Sequence, residues 1–460
     1  MSLRATAAAV RDGRTRAADT VARTLDALDR AAGLNAVTAV HADRARARAA
    51  EIDRAVTEGG DPGPLAGVPF AVKNLYDVAG HVTRAGSRAT EADAPAAHDA
   101  FAIRALEAAG AVLVASANMD ELAYGFSGEN AHDGDTRNPH DPARSAGGSS
   151  SGSAALVAAG AVPLALGTDT NGSVRVPAAL SGAPGLKPTY GRLSRGGVYP
   201  FVRSLDHVGV FAGSAADLAA AYDALQAADP EDAAQAPRPP EPAASGIPAE
   251  GLRAARLGGY FATPLHPDVA EAVEAAAAAL GASRSVELSL AEAARAAAFV
   301  ITTAEGGQRH RAGLARAPDR FGPLVRERLR AGALVPAAWT GRAQALRRRL
   351  TDELAALHAG ADILIAPATP CPAFPLGTAD WEVAGHSLPI RLAIGMFTQA
   401  LTLTGVPIGV AVRRGARSGL PVGVQIVARP FAEATVLAAM GRLERAGFVA
   451  GRATEAPANA

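Results

Sequence analysis

An α/β fold is what this sequence predicts, and three observations carry that reading. Helix-like segments alternate with short apolar runs, as where Asp99 to Ala109 leads into Ala111 to Ser116. The alternation returns over Ser153 to Leu166, and again where Arg342 to His358 leads into Ile363 to Ala366. The chain has 460 residues and no internal repeat, enough for a large core rather than an array. Alternation of this kind is the signature of a sheet layered with helices.

The elements follow in order. Ala18 to Ala32 and Ala42 to Thr57 mix apolar and charged positions at helical spacing. GPLAGVPFAV is a short apolar run punctuated by Gly and Pro, which reads as a buried strand ending near Lys73. Ser153 to Ala159 reads as a helix, and Ala161 to Leu166 and His207 to Phe211 as strands. Ser214 caps a helix running to about Ala227, with Asp217 at the favoured third position. Residues 229–248 are rich in Pro and Ala and read as a surface loop, not a domain boundary, because the alternation resumes near Leu257. His266 to Leu280, Leu290 to Ala304 and Arg342 to His358 read as helices. Pro421 to Ala428 reads as a strand and Ala432 to Ala446 as a helix, with the last nine residues frayed.

Composition excludes several classes of function. Lys and Arg together number 45, as do Asp and Glu, so the formal net charge is zero. That argues against nucleic acid or an anionic membrane as a partner. The single cysteine, Cys371, cannot form an intrachain disulfide and fits a reducing compartment. The first twenty residues lack the apolar core of a signal peptide. The longest apolar candidate, Ala154 to Leu166, is broken by Gly160 and Pro163 and falls short of the ~18–20 residues of a membrane span. A soluble, cytoplasmic protein is expected. The histidines are scattered without paired ligand spacing, so no metal site is expected.

Chemistry concentrates in one block, Gly147 to Thr189, where serines and glycines surround two apolar runs. Ser149 follows Gly147-Gly148, and Ser173 follows Thr170-Asn171-Gly172. One helix and one strand separate them, a connection that returns both loops to one sheet end, where α/β sites sit. A serine hydroxyl needs a base to become a nucleophile, and no histidine lies in the block. Only two of the cationic residues are lysine, Lys73 and Lys187. Arg stays protonated in proteins, whereas a buried Lys can lose its proton. A chain that writes positive charge as Arg yet keeps Lys73 beside the apolar GVPFAV points to an amine at work as a base. Burial can lower its free pKa of about 10.4 by several units. Lys187, in GLKPT, reads instead as part of a structural turn. Gly172 beside Ser173 lets backbone N–H groups converge on a developing oxyanion, a contribution of roughly 3–4 kcal/mol per donor.

GGSSSGS, GTDTNGSVRVP and GLKPT together resemble the core pattern of the amidase signature family, and flanking segments such as NMDELAYGFSGEN and DILIAPATPCPAFP are similar to it from about Leu65 to Ala428. The resemblance implies one large α/β domain whose mixed sheet is flanked by helices on both faces. With the helical reading of 1–60 and the frayed end, the expected organisation is a helical segment over 1–60 packed on a catalytic domain of 61–451, with 452–460 as tail. The resemblance also implies a Ser–cis-Ser–Lys triad, with Ser173 as nucleophile, Ser149 as bridging serine after a cis peptide bond, and Lys73 as base. The N–H groups of Thr170, Asn171, Gly172 and Ser173 would form the oxyanion hole. Asp169 and Arg175 are expected to hold that loop by charge-assisted hydrogen bonds; a contact of Arg175 with a substrate carboxylate is the alternative. Tyr124, Phe126, Ser127 and Gln399 are candidates for the substrate pocket, with core packing as the alternative.

Asn171 and Ser151 stand where many members have Gly. Segments such as DTNGSVRVPAALSG and FVITTAEGG resemble a branch of the family that cleaves a terminal, urea-like C–N bond, releases ammonia and works with a small helical partner chain. A cofactor-free amidohydrolase of a small polar amide is therefore expected, acting as a homo- or hetero-oligomer. The alternatives are the glutaminase-type subunit of a tRNA-dependent amidotransferase, a general aliphatic or aryl amidase, and a scaffold without activity.

Overall fold

The computed structural model describes residues 2–243, 251–262, 264–383, 385–449 and 451. The expected tail, 452–460, and the end of the expected surface loop, 244–248, lie outside the described residues. Among the described residues, eleven strands form one sheet. From one edge its order is Val37–Val40, Val112–Ala117, Pro69–Lys73, Leu164–Asp169, His207–Ala212 and Gly185–Lys187. Ile408–Arg414, Pro421–Ala428, Ile363–Pro367, Ala254–Leu257 and Ser285–Val286 complete it.

The sheet is mixed. Pro69–Lys73 runs parallel to both its neighbours, and Leu164–Asp169 runs antiparallel to His207–Ala212. Strand residues alternate between two cores. Phe70, Val72, Leu164 and Leu166 pack into one, with the helices Phe101–Ala108, Ala215–Ala224, Pro267–Leu280 and Glu433–Arg445. Ala71 and Ala165 face the other, with Ala17–Arg30, Ala42–Thr57, Ser151–Ala158 and Arg175–Ser181. The two-residue period of a strand puts alternate side chains on opposite faces, so central strands covered by helices on both faces read as unbroken apolar runs.

The expected helices form close to their expected limits. Ser214 accepts a hydrogen bond from Asp217 N at 3.1 Å, as the cap predicted. Asp217 in turn accepts from the backbone N of Leu3 and Arg4, each at 3.1 Å, which ties the helix Leu3–Arg11 down. Three readings change. The helix starting at Ala291 continues to Arg316 instead of ending near Ala304. The strand expected from Ala161 starts at Leu164, after Pro163. The first sixty residues are not purely helical, because Val37–Val40 adds an edge strand on Val112–Ala117. No helix among the described residues is long and apolar enough to cross a membrane.

Candidate active site

Lys73 is the last residue of its strand and fully buried. The register sets Val72 opposite Leu166, which carries Lys73 to the sheet end where the next strand delivers Thr168 and Asp169. Lys73 Nζ donates to Ser149 Oγ at 2.8 Å and to Thr168 Oγ1 at 2.9 Å. Burial pushes the amine down to about 7, against the opposing pull of Asp120, Asp169 and Asp206.

Ser149 follows a cis Gly148–Ser149 peptide bond, just before the helix Ser151–Ala158. Its loop is held from below by Asp120. Asp120 N donates to Ser149 O at 3.2 Å, and the Asp120 carboxylate accepts from Gly128 N at 3.0 Å and Ser127 N at 3.2 Å. Burial raises that carboxyl to about 7, although the nearby Lys73 charge pulls it the other way. Sequence reasoning does not single out Asp120; its position in NMDE carries no local signal for a contact with a loop some thirty residues on.

Ser173 sits on the loop between Leu164–Asp169 and the helix Arg175–Ser181. Ser150 N donates to Ser173 O at 3.2 Å, which joins the two serine loops. No hydrogen bond links Ser173 Oγ to Ser149 Oγ in this structure. The loop is braced by an ion pair. Arg175 Nε and Nη2 each approach Asp169 at 2.9 Å, and both residues are fully buried. The remaining Arg175 donors go to Thr398 O and Gln425 Oε1, each at 2.9 Å, and to Thr402 Oγ1. Every arm of the guanidinium is engaged, which leaves none for a substrate carboxylate. Burial alone would raise Asp169, but the Arg175 charge and hydrogen bonds outweigh it and hold this carboxylate far below its usual range.

One expectation needs correction. Gly172 N donates to Asp169 Oδ1 at 2.7 Å, so that N–H is committed to the protein and not to an oxyanion. Gly172 instead serves the turn: its φ is +135°, and a Cβ there would lie 2.1 Å from Thr398 Oγ1. The same threonine hydroxyl donates to Asn171 O at 2.7 Å. The N–H groups of Thr170, Asn171 and Ser173 have no protein acceptor among the described residues.

A narrow cleft opens onto Ser173. Tyr124, Phe126 and Gln399 line it together with Thr170, Asn171 and Thr302. Ser127 does not reach it; it lines the neighbouring cavity, and its Oγ donates to Glu129 at 2.7 Å. Arg328, which sequence reasoning misses, stacks 3.8 Å above the Tyr124 ring and lines both spaces. Phe299, Thr302 and Arg328 come from 26- and 10-residue helices far along the chain, where nothing local marks them as part of a cleft.

The sequence profile of the family described as Amidase matches residues 19–437. The chain belongs to the amidase family. It is 49% identical over 445 residues to AtzE, which is part of the 1-carboxybiuret hydrolase of Pseudomonas sp. (strain ADP), covering 95% of this amidase and 97% of that protein. It is 37% identical over 444 residues to one subunit of the glutamyl-tRNA(Gln) amidotransferase of Koribacter versatilis (strain Ellin345), covering 90% and 91% respectively. Among solved structures, one described as a vestigial protein complex revealing the origins of an s-triazine catabolic enzyme matches with a TM-score of 0.96 and 46% identity. That match spans 98% of this amidase and all of that chain. Amidases of this family are hydrolases of amide C–N bonds, and the mixed sheet with two helical layers is their fold.

Proposed function

We propose that this amidase hydrolyses a terminal amide of a small, polar, urea-like substrate of the carboxybiuret kind and releases ammonia, with Ser173 as nucleophile, Ser149 as proton relay and Lys73 as base. The observation that carries the reading is the buried Lys73 amine, pushed down to about 7 and hydrogen-bonded at 2.8 Å to Ser149 on a loop that touches Ser173. Once the Ser173 hydroxyl turns onto Ser149 Oγ, neutral Lys73 takes the Ser149 proton as Ser149 takes that of Ser173, and Ser173 Oγ bonds to the carbonyl carbon. The oxyanion forms against the free N–H groups of Thr170, Asn171 and Ser173. As the C–N bond breaks, the proton returns through Ser149 to the leaving nitrogen and ammonia departs. Water then cleaves the acyl- or carbamoyl-enzyme through the same relay. Asp169 and Arg175 act by holding the loop, and Tyr124, Phe126 and Gln399 shape the pocket.

The substrate class rests on the 49% identical relative, which is part of a 1-carboxybiuret hydrolase. That relative is one subunit of its enzyme, and the matching solved structure is of a complex; both support a partner chain. We propose a small helical one, in the cytoplasm. The test is ammonia release by wild type and Ser173→Ala on carboxybiuret, biuret, allophanate, malonamate, glutamine and aryl amides. Release from a urea-like compound by wild type alone is expected. Hydrolysis of glutamine alone would move the reading to the amidotransferase type, and hydrolysis of aryl amides alone to a general amidase. Co-purification from the native host, with native mass measurement, tests the partner.

A further inference from the structure

Two residues before Ser173, the Asn171 side chain is 6% exposed and lines the cleft. Its Nδ2 donates to Thr302 Oγ1 at 2.7 Å, across 131 residues of sequence. Its backbone carbonyl is pinned by Thr398 Oγ1 at 2.7 Å. Its Oδ1 is buried with no hydrogen-bond partner among the described residues. Buried polar atoms in native proteins are almost always paired, so an orphan acceptor on a cleft-lining residue fixed by two anchors is a place where a ligand N–H can complete the pairing.

The chemistry specifies the ligand. A simple amide offers N–H groups only at its leaving nitrogen. A urea-like substrate carries a further –NH– on the far side of the scissile carbonyl, next to the carbon that Ser173 attacks. Resting on the urea-like reading above, we propose that Asn171 is a specificity residue whose Oδ1 accepts the hydrogen bond of this distal –NH–, and that Thr302 is the positioning residue that keeps the amide turned that way. A substrate with –CH2– at the same place has the same shape and leaves Oδ1 unpaired. Sites built to pair a polar group reject the analogue lacking it far better than they sense size. The amidase therefore separates ureas from malonic amides through one side chain, at a position where the family commonly has Gly.

Two matched pairs test this, biuret against malonamide and allophanate against malonamate, each exchanging –NH– for –CH2–. kcat/KM is read from ammonia release for wild type, Asn171→Gly, Asn171→Asp and Thr302→Val, each with a thermal melt. The ratio of –NH– to –CH2– substrate is expected to fall about ten- to a hundredfold in Asn171→Gly. Asn171→Asp keeps an oxygen acceptor and holds the ratio above that of the Gly variant. Thr302→Val lowers the ratio by a smaller factor, mainly through KM, and carries the test alone if the Asn171 variants do not fold. A wild type active on the ureas whose ratio moves less than about twofold in the folded variants overturns the subsite and leaves the proposed function standing. A wild type that cleaves neither urea overturns the urea-like reading and the subsite together.

Discussion

Lys73 and Lys187 are the chain's two lysines, both fully buried, and burial pushes both down to about 7. Their surroundings differ in kind. Lys73 Nζ meets two hydroxyls, Ser149 and Thr168. Lys187 Nζ meets two backbone carbonyls, Val406 O at 2.6 Å and Pro188 O at 3.0 Å. A neutral amine beside a hydroxyl has a proton within reach of its lone pair. A neutral amine between carbonyls can only donate, because carbonyl oxygens carry no proton. Desolvation thus makes an amine available in both places, and only the partner atoms decide whether it can serve as a base. Lys187 is left with a structural task, joining Gly185–Lys187 to the segment before Ile408–Arg414.

Removing each amine in turn separates the two lysines most directly. Lys73→Met is expected to lower kcat by about a thousandfold with the fold intact by circular dichroism, the scale of a lost general base. Lys187→Met is expected to keep kcat within about tenfold, since its neighbours supply no proton. Equal losses in two folded variants would erase the distinction.

The pH profile separates them further. Lys73 must be neutral, and below about 7 it is protonated. kcat/KM is therefore expected to fall tenfold for each pH unit below that point and to level off above it. Lys187→Met should leave this limb where it is. A limb that disappears with Lys187 would assign the base to the wrong lysine.

Thr168→Val removes one of the two hydroxyls around Lys73 and leaves Ser149. About a tenfold loss in kcat is expected, the upper scale of one uncharged hydrogen bond, with KM little changed. Lys187 also leaves a signature in stability rather than in rate. A lysine held near 7 in the fold and near 10.4 when unfolded binds fewer protons in the native state between those values. Stability then rises with pH across that window and carries its full penalty below 7. Denaturant melts at pH 7 and pH 9 should show a smaller rise in Lys187→Met than in wild type, by up to about 1.4 kcal/mol per pH unit.

Legibility follows the range of the interactions. Ala42–Thr57 and Pro421–Ala428 form as read, because an amphipathic period and an unbroken apolar run are local patterns. Ile408–Arg414 is a strand that the sequence reading does not include, although IGVAV is such a run, set between Pro407 and Gly415. The helix read as ending at Ala304 runs through Gly306-Gly307 to Arg316. There the structure uses glycine for contact: a Cβ on Gly307 would lie 2.4 Å from Ala333 N of the next helical segment. A sequence shows the glycine but not the neighbour that requires it.

By itself the sequence determined the chemical identities: an amine among arginines, two serines on glycine-bearing loops, and the Asp169–Arg175 pair six residues apart on one turn. These are properties of residue type and short spacing. Tertiary structure alone decided which amine has a hydroxyl to deprotonate, which N–H groups remain free once Asp169 has taken that of Gly172, and which side chain meets Asn171. Each depends on atoms brought together across the sheet and its helices, Thr168 to Lys73 over 95 residues and Thr302 to Asn171 over 131. A pKa or an unpaired acceptor is set by burial and by the nearest partner atom, and both exist only once the chain has folded.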